Sequence, residues 1–289
     1  MDHVLIATAY NNEARIYVAT TKNLVEEARK IHSTKPTATA ALGRLLTVGG
    51  LMVPMYKDNS LITLKIEGDG PIESMLVDIN NNGLLRAYIK NPSVYIKDNK
   101  TGKLAVGLAV GNGTLTVIRD PQLKNSFSSS VNLQTGEIGD DFTYYFTLSE
   151  QTPSSVGVGI LVGEEVLYAG GFIVQLLPNA SEKTIAQIEE ILSKLTGVTN
   201  MFKDGITTLD ILKLLSNNTE KLLSTTTLKY HCGCTKEYYE TALMKLDNEF
   251  LDKLIYEDNG AEIICRYCNT KYDFTIEDLK KIQDNKKVI

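Results

Sequence analysis

All four cysteines of this chain lie between positions 232 and 268, as Cys232-Gly-Cys234 and then, across a long loop, Cys265-Arg-Tyr-Cys268. Two thiol pairs so spaced suit a tetrahedral four-thiolate zinc site. Each pair supplies two ligands from one turn, and the segment between them folds back to close the shell. The predicted ligands are Cys232, Cys234, Cys265 and Cys268, with one Zn2+ per reduced chain. The first pair is Cys-x-Cys, where an ordinary zinc ribbon has Cys-x-x-Cys. Gly233 removes a side chain from a cramped turn, so that both sulfurs reach one metal, and it leaves two thiols close enough to be driven into a strained disulfide. Spacing alone leaves two readings open. The site is a structural knot that holds a small domain together, or it is a redox switch in which oxidation turns four ligands into two disulfides and expels the metal.

The length of 289 residues allows a sizeable core plus a second small domain. No uninterrupted apolar run is long enough to span a bilayer, and Asp2 stands where a signal peptide would be basic. A cytoplasmic protein without a membrane partner is expected, and a reducing cytosol keeps the thiols available to a metal. The formal charge of -5 disfavours non-specific nucleic-acid binding, and from Lys229 onward 12 acidic residues outnumber 10 basic ones. A zinc module that reads DNA or RNA normally carries a basic face. No nucleic-acid partner is expected.

Along the chain, Val4-Leu-Ile-Ala and Arg15-Ile-Tyr-Val-Ala flank Asn11-Asn12 and predict a hairpin. Asn23 is placed as the cap of a helix with Leu24, Val25, Ala28 and Ile31 on one face. Pro36 starts a longer helix, apolar almost all round except for Arg44, which implies burial. From Ser60 to Val174 strand-like runs alternate with turn signals such as Asn80-Asn-Asn-Gly83, and Leu104–Val110 reads as one of those strands. A short helix is expected from Asp140 to Glu150, then a final strand pair at 156–162 and 166–175. After Pro178, Ser181 caps a helix with Ile185, Ile188, Leu192 and Leu195 in one stripe. Thr207-x-x-Asp210 opens another, and Ser224-Thr-Thr-Thr breaks the pattern. Within the cysteine segment, Thr235 and Asp247 cap two helices, and Asn259-Gly260 turns the chain into the second pair.

Two further motifs argue against enzyme chemistry. The glycines of Gly157-Val-Gly-Ile-Leu-Val-Gly163 do not have the spacing of a dinucleotide loop and sit in a strand. Ser154 and Ser155 lack a plausible base, because His3, His32 and His231 are the only histidines and His231 adjoins the cysteines. With four thiolates completing the shell, His231 is expected to be a neighbour of the metal site and not a ligand.

Tyr230-His-Cys-Gly-Cys-Thr, Leu243-Met-Lys-Leu and Glu257-Asp-Asn-Gly-Ala-Glu-Ile-Ile-Cys-Arg-Tyr-Cys-Asn-Thr-Lys-Tyr-Asp-Phe resemble the C-terminal zinc domain of the redox-regulated 33 kDa heat-shock protein (33 kDa chaperonin) family. The resemblance extends to Asn81-Asn-Gly-Leu-Leu-Arg-Ala-Tyr-Ile, Ser149-Glu-Gln-Thr-Pro-Ser-Ser-Val-Gly-Val-Gly and Ala169-Gly-Gly-Phe-Ile-Val-Gln-Leu-Leu-Pro-Asn-Ala, and so covers about Val4 to Leu279. Ala87 departs from it, since the family more often has glycine there, which bears on the local turn. The resemblance implies an α+β fold: a core of mostly antiparallel sheets with packed helices (1–177), a helical linker (178–229) and a small four-cysteine zinc domain (230–289).

It further implies an ATP-independent holdase, not an enzyme, that is inactive while zinc-bound and reduced. On oxidation two disulfides form, zinc is released, and unfolding spreads to the linker. The exposed surface binds unfolding client proteins, with homodimerisation. Neighbours in sequence have the highest effective concentration, so Cys232–Cys234 and Cys265–Cys268 are the expected links. The rival readings are a zinc-ribbon nucleic-acid binder, opposed by charge, and a CxxC thiol oxidoreductase. The latter needs its cysteine pair at a helix start after a strand.

Overall fold

The computed structural model describes residues 1–56, 58–121, 125–195, 197–203 and 205–286, with only the backbone of Phe202. Its backbone divides into two compact units, Met1–His231 and Cys232–Ile289. The first unit runs β1 (His3–Ala9), β2 (Ala14–Thr20), α1 (Lys22–His32), α2 (Pro36–Met52), β3 (Leu61–Gly68), β4 (Ser74–Ile79), β5 (Leu84–Ile89), α3 (Val106–Val110), β6 (Gly113–Asp120), β7 (Phe127–Asn132), α4 (Gly139–Leu148), β8 (Ser154–Val162) and β9 (Val166–Leu176). It continues through α5 (Glu182–Ser193), α6 (Val198–Lys203), α7 (Thr208–Ser216), β10 (Lys221–Thr227) and β11 (Lys229–Tyr230). The second unit holds α8 (Lys236–Leu243), α9 (Asn248–Tyr256), β12 (Ala261–Ile264), β13 (Lys271–Phe274) and α10 (Ile276–Lys286).

Among the described residues the strands of the first unit form two sheets, ordered β10-β1-β2-β9-β8 and β11-β5-β4-β3-β6-β7. Every pairing in them is antiparallel except β11 with β5. The expected α+β class with mostly antiparallel sheets is found. The period-2 pattern explains the second sheet, since Ile62, Leu64 and Ile66 of β3 are buried while the residues between them are not.

Helix α2 lies against both sheets. A Cβ on its Gly49 would meet Val77 and Leu85 of β4 and β5, and one on its Gly43 would meet Ile160 of β8. With its 3-10 continuation to Met55 it is long and apolar enough to cross a membrane, and here that apolar surface is buried as a core helix. Its single charge, Arg44, pairs with Glu137, whose other oxygen accepts from Gly107 N–H at 2.9 Å.

The five-stranded sheet is apolar on both faces. Val4, Ile6 and Tyr17 point into the central core with α2. Leu5, Ala7, Ile16, Val18, Phe172 and Val174 point the other way, onto Ile188, Met201, Ile211, Leu212 and Leu215 of α5, α6 and α7. Ser181 caps α5 and Thr207 caps α7 as expected. The α5 stripe is shifted, because Ile188, Leu192 and Leu195 reach this second core with Ile191, whereas Ile185 stays outside it. Helix α7 is pinned at both ends: His3 Nε2 lies 2.9 Å from Thr208 Oγ1, and the Tyr10 hydroxyl donates to the Leu215 carbonyl at 2.8 Å.

Four local expectations change. Leu104–Val110 contains helix α3, not a strand, and the Glu137 carboxylate that holds Gly107 N–H replaces a sheet partner. A short apolar run cannot choose between helix and strand by periodicity. Ser224–Thr227 does not break the structure but belongs to β10, whose threonines suit an extended edge. Asn23 lies inside α1, and the helix start is held instead by Asp2, which is buried and accepts from Leu24 N–H at 2.6 Å and the Asn23 amide at 3.0 Å. Ala87 sits in mid-strand rather than in a turn. Its N–H donates to the Tyr230 hydroxyl at 3.2 Å and its carbonyl accepts from His32 Nε2 at 2.8 Å.

The β8–β9 hairpin is tied to α1 through Glu26, which accepts from Arg29 and from Val166 N–H. The Arg29 guanidinium, against the opposing effect of burial, holds the Glu26 carboxyl down to about 2. Because this pKa is depressed in the folded protein, its contribution to stability is complete above the ordinary carboxylate value of about 4.5 and is lost as pH falls toward 2. Glu26→Gln is therefore expected to flatten the loss of Val166 amide protection between pH 5 and 3. Hydrogen exchange with the wild-type pH slope would contradict this.

The second unit packs Leu243, Ile255, Phe274, Leu279 and Ile282 into a small core, beside the antiparallel hairpin β12–β13. A core of this size gives a unit of this length only marginal stability.

Candidate metal centre

The hairpin β12–β13 presents one cysteine pair at its tip. Cys265 N–H donates to the Thr270 carbonyl at 2.9 Å, and Asn269 N–H donates back to the Cys265 carbonyl at 2.8 Å. Asn269 takes the left-handed conformation, φ 56°, that this closure requires and that asparagine tolerates. The other pair precedes α8, whose start is fixed by Thr235 accepting from Tyr238 N–H at 3.2 Å. The four sulfurs all lie within 4.8 Å of one another, and Cys265 is buried while the other three are half-buried. Cys232 and Cys265 are 3.6 Å apart and Cys234 and Cys268 3.3 Å apart, so none is joined in a disulfide.

These separations fit a metal. A tetrahedral shell with zinc–sulfur bonds of about 2.3 Å has sulfur–sulfur edges of about 3.8 Å. Among the described residues the cluster that could hold a metal is made of the four predicted cysteines, without a histidine. His231 has an exposed side chain, and its backbone N–H donates to the Leu85 carbonyl at 2.8 Å. Cys265-Arg-Tyr-Cys268 sits in a turn between antiparallel strands, not at a helix start, so the geometry of a thioredoxin-like pair is not formed there.

Two tyrosines and a threonine complete the site, and sequence reasoning did not single them out. The Tyr272 hydroxyl donates to the Cys234 carbonyl at 2.9 Å and lies 3.2 Å from its sulfur, and the Thr270 hydroxyl lies 3.1 Å from Cys268 Sγ. Tyr239 packs on Tyr272 with ring centroids 5.1 Å apart. The thiols are not equivalent. Burial pushes Cys232 up to about 12. Burial also opposes ionisation of Cys265, but the Tyr239 hydroxyl and the N–H groups of Tyr267 and Cys268 outweigh it and bring that thiol down to about 6. The signal available in sequence was position: Thr270 and Tyr272 follow the second pair directly, and Tyr239 lies one helical turn after the Thr235 cap.

A family model described as Hsp33 protein matches residues 2–275. A 33 kDa chaperonin of Acholeplasma laidlawii is 53% identical over 286 residues, which cover 97% of this chain and 98% of the relative. One from Bacillus subtilis is 43% identical over 287 residues, covering 98% and 99%. Among solved structures, the crystal structure of a 33 kDa chaperonin from Thermotoga maritima superposes with a TM-score of 0.92 at 33% identity, over 100% of this chain and 99% of that one.

Proposed function

This chain belongs to the Hsp33 family, and from that premise we propose that it is a redox-regulated, ATP-independent holdase chaperone of the cytoplasm. The observation that carries the reading is the cluster of four sulfurs within 4.8 Å, in a unit with a small apolar core. Cys232, Cys234, Cys265 and Cys268 would hold one Zn2+, which would offset half of the thiolate charge and add binding energy of about 10 to 16 kcal/mol in comparable sites. The chain is read as a core (1–177), a helical linker (178–229) and the metal-binding switch (230–289).

Each cysteine pair reacts with one two-electron oxidant. With hydrogen peroxide, two thiols give one disulfide and two waters. Once both pairs have reacted, Cys232, Cys234, Cys265 and Cys268 would have no thiolate left to hold a metal, and the second unit would lose that source of stability. Unfolding then spreads through the linker, and the surface it covers binds unfolding proteins, with homodimerisation.

The test is a single series on purified protein. Reduced protein is expected to contain one zinc and four free thiols per chain and to leave a thermally unfolding reporter protein to aggregate. After peroxide at raised temperature it should contain no zinc and no free thiols, and should suppress aggregation without ATP. Peptide mapping is expected to give Cys232–Cys234 and Cys265–Cys268. Since Cys232 and Cys265, and Cys234 and Cys268, already lie 3.6 and 3.3 Å apart in the folded cluster, cross-pair links would mean oxidation inside a folded unit and would overturn coupled unfolding. Zinc-free reduced protein, or oxidised protein that suppresses nothing, would overturn the whole reading.

A further inference from the structure

Strand β10 closes the outer edge of the five-stranded sheet almost without using its side chains. Its backbone pairs with β1 from His3↔Thr227 to Thr8↔Lys221, with one irregularity between Ile6 and Ala7. Apart from the half-buried Thr226, every β10 side chain is exposed, including Leu222 and Leu223 at 50% each. Its partner β1 is the opposite case, with Val4 and Ile6 in one core and Leu5 and Ala7 in the other. The β1–β10 pair is therefore held by main-chain hydrogen bonds with little apolar burial on the β10 side. Such a segment opens at the low end of a protein's local stabilities.

What secures β10 is the stretch after it. Leu228 is buried so tightly that a Cβ on Gly50 would lie 2.7 Å from its side chain. Lys229 and Tyr230 pair with β5, and Gly83, at φ +77°, admits no side chain because a Cβ there would lie 2.1 Å from the Thr227 carbonyl oxygen. Thus residues 221–230 seal an edge of each sheet, and the next residue but one is the ligand Cys232.

We propose that the outer edge of β1, His3–Ala9, is a client-binding site, on which an extended segment of an unfolding polypeptide replaces β10 by antiparallel strand addition. This rests on the chaperone reading above. An apolar strand with an uncovered edge is a template for pairing. Strand addition draws its affinity from main-chain hydrogen bonds and its specificity from side-chain pockets. The exposed side chains of β10 show that this edge has almost no pockets, so it accepts any chain able to extend. A guest without sequence requirements is what an unfolding protein offers.

The test uses the full chain and a permanently unfolded probe, reduced and carboxymethylated α-lactalbumin. On oxidation, amides of 221–227 and about half of those of 3–9 should lose protection, because N–H groups alternate between the two neighbours of a strand. Adding the probe should slow exchange in 3–9 at least tenfold and leave 221–227 open. Probe bound with 3–9 still open, or 3–9 still paired with 221–227, would overturn the proposal. Protection of 3–9 that appears without probe and rises with protein concentration would assign the edge to a second copy instead.

Replacing both Ser224 and Thr225 by Pro removes whichever N–H faces β1, at exposed positions. This variant, reduced and zinc-loaded, is expected to bind the probe without oxidant. If 221–227 is open there and no probe binds, the edge proposal falls while oxidised wild type still tests the chaperone reading. If oxidised wild type binds nothing but the variant does, the redox reading falls and the edge stands.

Discussion

Serine in place of Cys232 or Cys268 is expected to melt residues 232–286 and to make the protein an aggregation suppressor without any oxidant. Three thiolates and a hydroxyl do not reproduce a four-thiolate shell, so most of the metal-binding energy, about 10 to 16 kcal/mol in comparable sites, is lost. The core of the second unit rests on a handful of buried side chains, among them Leu251, Phe274 and Leu279, and cannot absorb such a loss. Amide NMR spectra of the reduced variant should lose dispersion for 232–286 while strands β2 to β9 keep theirs. Zinc should fall well below one per chain. A variant that keeps native dispersion with zinc absent would show that the metal is not what folds this unit. One that melts yet suppresses no aggregation would detach the switch from chaperone activity.

Much of this was legible in the sequence, for identifiable reasons. The cysteine cluster could be read because thiolate chemistry leaves few alternatives for four cysteines in two chelating pairs, and the structure brings those four sulfurs together. Caps at Ser181, Thr207, Thr235 and Asp247 were legible because a side chain that satisfies a helix start acts within three residues. What escaped depends on partners distant in sequence. Asp2 caps α1 across 22 positions, and Tyr272 reaches Cys234 across 38. Strand β10 carries no apolar alternation, since its face is solvent, and it is a strand only because β1 offers an edge more than 200 positions earlier. The same segment that local pattern reads as a break is therefore the one that closes the sheet.

The position of the linker helices yields the second large effect. Ile188 and Leu212 are buried, at 6% and 0% exposure, against the sheet face formed by Ile16, Val18, Phe172 and Val174. Truncating a buried Ile or Leu costs about 2 to 5 kcal/mol, and a polar replacement adds the cost of an unsatisfied group. Ile188→Asn with Leu212→Asn is expected to undock α5 to α7 while the four cysteines, in a separate compact unit, keep their metal. Hydrogen exchange should rise at least tenfold across 182–216. Zinc should stay at one per chain, and the reduced protein should suppress aggregation in part. Activity should be partial because the strap at 221–230 is untouched, so the apolar face opens while the β1 edge stays closed. Adding Ser224→Pro and Thr225→Pro to this background should raise suppression toward the oxidised level. If the undocked variant suppresses nothing, the covered face is not a binding surface and the helices serve only to connect the two units.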